Sequence, residues 1–428
     1  MPSLPFLRNS RSASTKTPGQ KRIGRERIGR ERIVRQRRQR LTLLLSSLVF
    51  ALILAEIGLR LAGFSYFNPY IVDRDLGFTL RPNAEGWWTK EGSAYVKINS
   101  HGLRDFEHSF AKPVNTIRIA VLGDSFAEAL QVSIENTFWS VMQRQLQPSL
   151  AARGKNVEVL NFGVSGFSTA RELIMLRKQV WQYEPDVVIL LITAGNDIKD
   201  NSPVLTGYEE GLPYFVNQNG SVKLDDSLLR ARSETYTFRL QESFPGKAWD
   251  WIRARSRVLG LLYSLRESYS GGNSKVRRND RAGDERGIDG NIFRSPVNAE
   301  WADAWMVTEK LIVQMRDEVQ GRGAAFLVAT ATNGIQLDPN EEVRVEYMKG
   351  LGVTTLFYPE LRIKDLGERE QLDVLNLAPI FLDFAVRNQT FLHGFGDRRG
   401  KGHWNEAGHQ LAGQLIAERL LEKLLAEK

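Results

Sequence analysis

The sequence predicts an α/β fold, with a central parallel β-sheet covered on both faces by helices and preceded by one N-terminal transmembrane helix. Three observations lead to this prediction. Apolar runs typical of buried strands alternate with helical patterns from residue 116 onward, and this alternation favours a parallel sheet between two helical layers. A long apolar stretch follows a basic leader near the N-terminus. Short motifs that combine glycine with polar residues follow the predicted strands.

The charge of the chain is concentrated at its N-terminus. The 428 residues carry a net charge of +8, yet residues 1–40 alone hold 13 Lys and Arg against 2 Glu, so the remainder has a net charge of −3. The folded part therefore gives no electrostatic reason to expect bound nucleic acid. The sequence contains no cysteine, which excludes disulfides, thiolate metal sites and a cysteine nucleophile.

The apolar stretch at 41–64 is long enough to cross a bilayer. As a helix its 24 residues would measure about 36 Å, against a hydrocarbon core of about 30 Å. Glu56 and Arg60 interrupt it at i,i+4 and can pair at the far interface. A buried core helix and a cleaved signal peptide are the alternatives. We interpret the segment as an uncleaved signal anchor, because the basic leader is long for a signal peptide and basic residues stay on the cytoplasmic side.

The predicted organisation has four parts: a basic cytoplasmic tail (1–40), a transmembrane signal anchor (41–64), a stalk and β-rich lead-in (65–115) and the α/β domain (116–428). The predicted strands are 116–123, 157–162, 186–193, 324–330 and 372–378. The predicted helices are 134–150, 168–182, 299–320 and 404–427.

Residues 200–298 do not follow the strand–helix rhythm, and we interpret them as an insertion over the carboxyl edge of the sheet. Parts of this segment have a helical pattern. Residues 270–291 contain almost no apolar side chains, so we expect a mobile loop there.

Four short motifs are predicted to meet at the carboxyl edge of the sheet, where α/β folds form their sites. They are Gly123-Asp124-Ser125, "NFGVSG" (161–166), "AGND" (194–197) and "GKGHWNEAGH" (400–409). Each alone has an ordinary explanation: Ser125 as a helix N-cap, Gly166 and Asn196 as turn residues, His403 as a surface histidine. Their order, each after a successive strand, favours a common site.

Each motif offers one group that acyl-transfer chemistry needs. Ser125 at a helix N-terminus exposes its hydroxyl, and His403 can accept its proton and return it to a leaving group. The backbone N–H groups of Ser125 and Gly166 and the side-chain NH₂ of Asn196 can together form an oxyanion hole.

The four blocks resemble those of the SGNH hydrolases, also called GDSL esterases, in which Ser125, Gly166, Asn196 and His403 match the four named positions. The resemblance covers about 116–427 without the insertion. "KINSHGLRD" (97–105) and the anchor resemble a membrane-tethered bacterial subgroup. The resemblance implies a flavodoxin-like three-layer α/β/α sandwich, a serine nucleophile, and ester or acyl-transfer chemistry on small acyl groups, often on glycans.

The chain departs from the family at the third catalytic position. The family usually has Asp three residues before the histidine, where this chain has Gly400. Either the glycine-rich loop bends Asp397 toward His403, or a backbone carbonyl orients the imidazole and the site is a dyad, which we favour. We interpret Asp124 and Asp197 as loop-bracing groups.

A metal site is the rival use of the histidines. His393, His403 and His409 fall within 17 residues, with Asp397 and Glu406 nearby. The spacing matches no established ligand pattern, so we predict neither a metal nor another cofactor.

These observations predict an extracytoplasmic serine esterase, anchored in the bacterial inner membrane by a single span, with its catalytic domain periplasmic or extracellular. Its expected substrate is an acylated glycan or a lipid. Two alternatives remain open. One is an O-acyltransferase that uses the same residues on an envelope or exported polysaccharide, and the other is a non-catalytic glycan-binding or assembly protein.

Overall fold

A computed structural model describes residues 18–208, 211–273 and 288–426 of the chain. The chain divides into two compact units. One comprises Met1–Phe64 with Ser256–Leu262, and the other comprises Ser65–Arg255 with Tyr263–Lys428.

The first unit is built on helix α1 (Pro18–Leu61), which contains the predicted span. Within it, Arg35–Leu61 has the length and the mean hydropathy, 2.2, of a helix that could cross a membrane, and none of this stretch is buried. Length and composition fit a signal sequence equally well. The N-terminal apolar helix is therefore present as predicted, and the first 17 residues of the predicted basic tail lie outside the described residues.

The strands of the second unit form one central sheet and three small hairpins. In chain order they are β1 (Tyr70–Asp73), β2 (Gly77–Leu80), β3 (Glu85–Trp88), β4 (Ala94–Lys97), β5 (Thr116–Gly123), β6 (Asn156–Asn161), β7 (Val187–Ile192), β8 (Tyr214–Gln218), β9 (Ser221–Asp225), β10 (Ala325–Thr330) and β11 (Val374–Asn376).

Helices connect the strands of the sheet and fill the insertion. After α1 they are α2 (Ser125–Glu128), α3 (Phe138–Ala151), α4 (Thr169–Lys178), α5 (Asp197–Asp200), α6 (Pro203–Thr206), α7 (Ser227–Ser233), α8 (Tyr236–Glu242), α9 (Phe244–Arg255), α10 (Arg257–Asn273), α11 (Ala299–Gly321), α12 (Glu341–Leu351), α13 (Tyr358–Glu370), α14 (Ala378–Asn388) and α15 (Glu406–Ala426).

The central sheet has the order β6-β5-β7-β10-β11, and every neighbouring pair is parallel. Numbered along the chain, its strands run 2-1-3-4-5, which is the flavodoxin-like order. The chain begins the sheet at β5, adds β6 on one side of it and then adds β7, β10 and β11 on the other side. The loops after β5, β6 and β7 lie next to this switch point. The predicted fold class is confirmed.

Both faces of the sheet are buried, because alternate side chains of each strand enter different cores. In β5, Ile119 and Val121 join a core with α3, α14 and α15, whereas Ala120 and Leu122 join a core with α4 and α11. Each fully buried aliphatic side chain contributes roughly 1.5–3 kcal/mol relative to exposure. This two-sided burial explains why β7 is an unbroken apolar run, with all six residues buried.

The observed boundaries follow the predicted ones where the apolar runs are sharp. Strand β5 has the predicted limits 116–123, and the other central strands lie within about two residues of theirs. Helices α12 and α13, between the fourth and fifth strands of the sheet, were not predicted.

The lead-in at 65–115 is integrated into the core of the second unit. It forms two antiparallel hairpins, β1–β2 and β3–β4. Leu76, Leu80 and Val96 are buried in the same core cluster as α4 and α11. A segment packed in this way has fixed positions relative to the sheet, so its loops can reach the site.

In the described part of 200–298, the segment predicted as an insertion, the structure has the β8–β9 hairpin and helices α6 to α10. Tyr214 and Phe215 of β8 are buried, which fixes the hairpin to the second unit. The loop predicted at 270–291 lies mostly outside the described residues, since 274–287 are not described.

Candidate active site

The turn after β5 presents Ser125 at the edge of the sheet. Asp124 is the N-cap of α2, and its Oδ1 accepts a hydrogen bond from the N–H of Phe126 at 3.0 Å. Helix α2 is a single turn, because Ala129 adopts a left-handed conformation with φ of 53°. Gly163 of the neighbouring loop is required here, since a Cβ would lie 2.5 Å from the Ala127 side chain.

The Ser125 hydroxyl is hydrogen-bonded to His403. The Nε2 of His403 lies 2.8 Å from Ser125 Oγ, although the two residues are 278 positions apart in sequence. The imidazole also packs against the ring of Phe126, with centroids 5.0 Å apart. The motifs that contain Ser125 and His403, which were predicted to meet at the sheet edge, are therefore in direct contact.

The other side of the imidazole is held by Glu91, a residue that the sequence analysis did not single out. The Nδ1 of His403 lies 2.6 Å from Glu91 Oε2, and the backbone N–H of His403 donates to Glu91 Oε1 at 2.8 Å. A carboxylate beside Nδ1 assigns the proton to that nitrogen and leaves Nε2 free to accept one from Ser125.

The charge of Glu91 is maintained despite partial burial. Burial raises the pKa of its carboxyl, but the hydrogen bonds and the charge of His403 outweigh this effect and bring the pKa below its ordinary value. Glu91 is therefore ionised at neutral pH and able to stabilise a protonated imidazole.

Two glycines allow Glu91 and His403 to approach closely. Gly402 has φ of +83°, and a Cβ there would lie 2.2 Å from Glu91 Oε1. Gly92, next to Glu91 in the β3–β4 turn, has φ of +64°, and a Cβ there would lie 2.3 Å from the carbonyl oxygen of Gln131. Glycine adopts these positive φ values without strain; a Cβ at Gly92 would displace backbone, whereas a Cβ at Gly402 would displace the Glu91 carboxylate.

The structure does not bring Asp397 to His403, and the Nδ1 side of the imidazole faces the Glu91 carboxylate where a dyad would have a backbone carbonyl. Asp397 is exposed in a short 3₁₀ turn, Gly396–Arg398, and the Nδ1 of His403 is occupied by Glu91. The reason is tertiary: the acid comes from a hairpin 312 residues before the histidine. No local motif distinguishes Glu91 from other turn glutamates, so its contact with His403 could not be predicted from the sequence.

Asn196 is connected to the Ser125 turn through Asp124. Its Nδ2 donates to Asp124 Oδ2 at 2.8 Å, which leaves the second N–H of that amide for another acceptor. Thr193 Oγ1 donates to Asp124 Oδ1 at 2.9 Å. Asp124 therefore ties the loop after β7 to the loop after β5.

Gly166 lies exposed on the loop after β6, with φ of +75°. The preceding residue, Ser165, donates its backbone N–H to Glu128 Oε2 at 2.7 Å, and its hydroxyl also contacts that oxygen. Tyr70 of the lead-in donates to the same carboxylate at 2.9 Å. The loop that carries Gly166 is thus fixed both by α2 and by the lead-in.

Asp197 has contacts that fit a bracing role. Its Oδ2 accepts the backbone N–H of Thr193 at 2.7 Å. Burial, and then the nearby carboxylates of Glu172 and Asp124, raise the pKa of Asp197 well above its usual range. A carboxyl in this state stabilises the turn after β7 and does not supply the negative charge that an imidazole needs.

The other two histidines near the C-terminus, His393 and His409, are both buried. His393 Nδ1 lies 2.6 Å from the carbonyl oxygen of Gly402 and its Nε2 lies 2.8 Å from Thr332 Oγ1, so both nitrogens are engaged. Burial lowers the pKa of His393 to about 4 and that of His409 to about 3. Across the described ranges, no group of three or more His, Asp or Glu side chains is arranged to hold a metal ion.

The arrangement of Ser125, His403 and Glu91 has the connectivity that nucleophilic catalysis uses. A hydroxyl contacts an imidazole, and the imidazole is oriented by an ionised carboxylate on its other nitrogen. These groups reach the carboxyl edge of the sheet from β5, from the loop before α15 and from the β3–β4 turn.

Comparison with known proteins gives one partial sequence match and several distant structural ones. No family model matches the chain. An arylesterase of Vibrio mimicus is 30% identical over 105 residues, which is 24% of this chain and 50% of that protein. The chain therefore spans about half the length of that relative.

Among solved structures, an acetyl xylan esterase aligns with 71% of this chain and all of its own, at 14% identity and a TM-score of 0.36. A lipase/acylhydrolase from Enterococcus faecalis aligns with 72% of this chain and 96% of its own, at 14% identity and a TM-score of 0.35. A two-domain esterase active on acetylated mannans covers 73% of this chain and 50% of its own, at 12% identity and a TM-score of 0.34.

Proposed function

We propose that this protein is a serine esterase of the SGNH type, with Ser125 as nucleophile, His403 as general base and Glu91 as the acid that orients it. The observation that carries the proposal is the unbroken hydrogen-bonded chain from Ser125 Oγ through the imidazole to Glu91 Oε2. The partial similarity to an arylesterase and the four sequence blocks support the same reaction class.

In the proposed first step, Ser125 Oγ attacks the carbonyl carbon of an acyl ester while its proton passes to His403 Nε2. The negative charge of Glu91 stabilises the imidazolium that forms. The oxygen of the tetrahedral intermediate accepts hydrogen bonds from the N–H groups of Ser125 and Gly166 and from the free N–H of Asn196. The C–O bond to the alcohol then breaks, and the alcohol takes the proton from His403.

The second step regenerates the enzyme. His403 removes a proton from water, the resulting hydroxide attacks the acyl-Ser125 ester, and the acid leaves as Ser125 recovers its proton. If a sugar hydroxyl replaces water in this step, the same residues transfer the acyl group. Hydrolysis and transfer therefore differ only in the acceptor that reaches the acyl-enzyme.

The proposed setting is the outer side of the bacterial inner membrane, with 41–64 as anchor and an acylated glycan or a lipid as substrate. The exposed apolar helix α1 supports the anchor. The charge of +11 before the span and the near-neutral chain after it support a cytoplasmic N-terminus.

The proposal is tested by incubating the full chain in detergent with short acyl esters and with acetylated polysaccharides. Each substrate is assayed with and without a sugar acceptor. We expect release of free acid, with loss of that activity in Ser125→Ala. Ser133→Ala is the matched control, because Ser133 makes no side-chain capping bond and lies outside the site. Acyl-sugar formed in place of free acid would identify a transferase, and no turnover of any ester would favour a non-catalytic protein.

A further inference from the structure

Helix α9 (Phe244–Arg255) exposes its large apolar side chains to the surroundings, whereas a surface helix normally buries them. Phe244 is 85% exposed, Trp249 50%, Trp251 59% and Ile252 47%, and no residue of the helix is buried. Surface helices of globular proteins normally turn such side chains toward the core.

The apolar side chains of α9 share one side of the helix. Phe244, Trp251 and Ile252 recur at i, i+7 and i+8, which places them on a common face. Trp249 flanks that face, and the guanidinium of Arg255 stacks on Trp251 at 4.3 Å.

The opposite side of α9 carries a less exposed ion pair. Asp250 and Arg253 are joined at 2.9 Å, and their side chains are 31% and 29% exposed. The guanidinium of Arg253 also lies over the ring of Tyr263, 5.4 Å from its centroid, and burial, followed by the charge of Arg253, lowers the pKa of Arg81 in the lead-in. The polar side of the helix therefore contacts protein, and the apolar side is directed outward.

The neighbouring helices add to the same kind of surface. Tyr236 and Leu240 of α8 and Leu265 of α10 are all exposed. Concentrations of exposed apolar side chains on this scale mark interaction sites. Tryptophan combined with arginine is the composition of helices that lie in a membrane interface.

The residues that follow α9 are attached to helix α1. Glu56 accepts hydrogen bonds from the backbone N–H of Arg257 at 3.0 Å and of Val258 at 3.1 Å, and from the hydroxyl of Ser256 at 3.1 Å. Glu56 comes directly after the uncharged stretch Leu41–Ala55. A span that begins at Leu41 would place Glu56 about 22 Å along the helix, in the outer part of a hydrocarbon core of about 30 Å and within two helical turns of the lipid headgroups.

We propose that α9, with the exposed side chains of α8 and α10, is a second membrane-binding element that inserts its apolar face into the headgroup region of the bilayer. The inference rests on the anchor proposed above. The peptide bond between Arg255 and Ser256 joins α9 directly to the segment that Glu56 holds. A lipid surface fits this face better than a protein partner, because the face combines Trp, Phe and Ile with Arg.

The absence of cysteine from the sequence allows single-cysteine labelling of the full chain in lipid nanodiscs. An environment-sensitive fluorophore is placed at Trp251→Cys or Ile252→Cys on the apolar face. Ala254→Cys on another side of the same helix is the matched control, and Lys349→Cys on α12 reports the exposed protein body. Leu48→Cys in α1 reports the anchor independently.

We expect acyl-chain nitroxide lipids to reduce the emission at 251 and 252 to about half, because interfacial helices reach about 5–10 Å into the bilayer. Aqueous iodide should quench these positions less than 254 and 349. Emission at 251 and 252 that responds like 349 would overturn the proposal. Protection from iodide without quenching by lipid would also overturn it, since a protein would then cover the face. Quenching by lipid at 48 without quenching at 251 would support the α1 anchor and contradict the proposal for α9. Quenching at 251 without quenching at 48 would support membrane binding by α9 and contradict the α1 anchor.

Discussion

Glu91 holds His403 by two hydrogen bonds, one to the imidazole Nδ1 at 2.6 Å and one to the backbone N–H at 2.8 Å. The first contact sets the tautomer of the ring, and the second fixes the loop that carries it. Because Glu91 belongs to a hairpin that precedes the central sheet, the lead-in is a structural part of the candidate site.

Replacement of Glu91 is expected to reduce turnover strongly. Glu91→Gln keeps an oxygen for the His403 N–H, but its amide would donate to Nδ1, which favours the wrong tautomer and leaves the imidazolium without an anion. We expect kcat on a short acyl ester to fall by about 10²–10⁴-fold, with Glu91→Ala similar.

Asp397→Asn is the comparison for this variant. Asp397 is exposed and does not occupy Nδ1, so its kcat should stay within about twofold of the parent value, as for most surface substitutions. If the Asp397 variant lost activity and the Glu91 variants retained it, the assignment of the acid would be wrong.

Gly402→Ala should affect turnover by displacing His403 from Glu91. The added Cβ would lie 2.2 Å from Glu91 Oε1, and a displacement of about 1 Å in a catalytic group can cost about 10²-fold in rate. Gly154→Ala is the control: Gly154 also has a positive φ, +70°, but has open space around it. The control should lose about 1–2 kcal/mol of stability and retain kcat, and equal loss of kcat in both variants would contradict the steric explanation.

Asn196→Ala tests the oxyanion hole. Loss of one donor to the developing oxyanion should lower kcat by about 10²–10³-fold with little change in KM. Because Asn196 also donates to Asp124, Thr193→Val is needed beside it, since that change removes another Asp124 contact and leaves Asn196 in place. Comparable losses in the two variants would indicate that Asn196 acts only by bracing Asp124.

The buried carboxyl of Glu360, which lies outside the candidate site, should make the stability of the protein depend on pH. Its carboxyl is buried in α13, where Oε1 accepts a hydrogen bond from Gln336 at 2.7 Å, and burial raises its pKa to about 7. A raised folded-state pKa means that stability is fully present below about pH 4.5 and is lost as pH rises to about 7.

Glu360→Gln should remove that loss, because the amide is neutral at every pH. Between pH 4.5 and 7.5 the unfolding free energy of the parent should fall more than that of the variant, by on the order of 2 kcal/mol. Denaturant unfolding of both proteins across this pH range measures the difference. Parallel pH profiles for the two proteins would show that Glu360 is not protonated in the folded state.

The sequence was most informative where local chemistry decides the structure. The largely apolar stretch at 116–123 predicts β5 to the residue, because a strand buried on both faces is mostly apolar. The motifs around Ser125 and His403 predicted a meeting that the fold produces, since parallel strands bring their carboxyl ends to one edge.

The sequence was least informative where distant segments meet. Asp397 is the acid that most closely precedes His403 in the sequence, whereas Glu91 reaches the imidazole from a separate hairpin in which Gly92 allows a close approach. The exposed apolar face of α9 was also missed, because the apolar positions of a helix do not reveal whether they face a core or the surroundings.

The central claim is that His403 and Glu91 activate Ser125 as a nucleophile. The most direct measurement treats the full chain with a fluorophosphonate and locates the adduct by peptide mass spectrometry. We expect one modified residue, Ser125, with no labelling in Ser125→Ala and labelling slowed by orders of magnitude in His403→Ala. Labelling that persists in Ser125→Ala, or that is as fast in His403→Ala as in the parent, would contradict the mechanism.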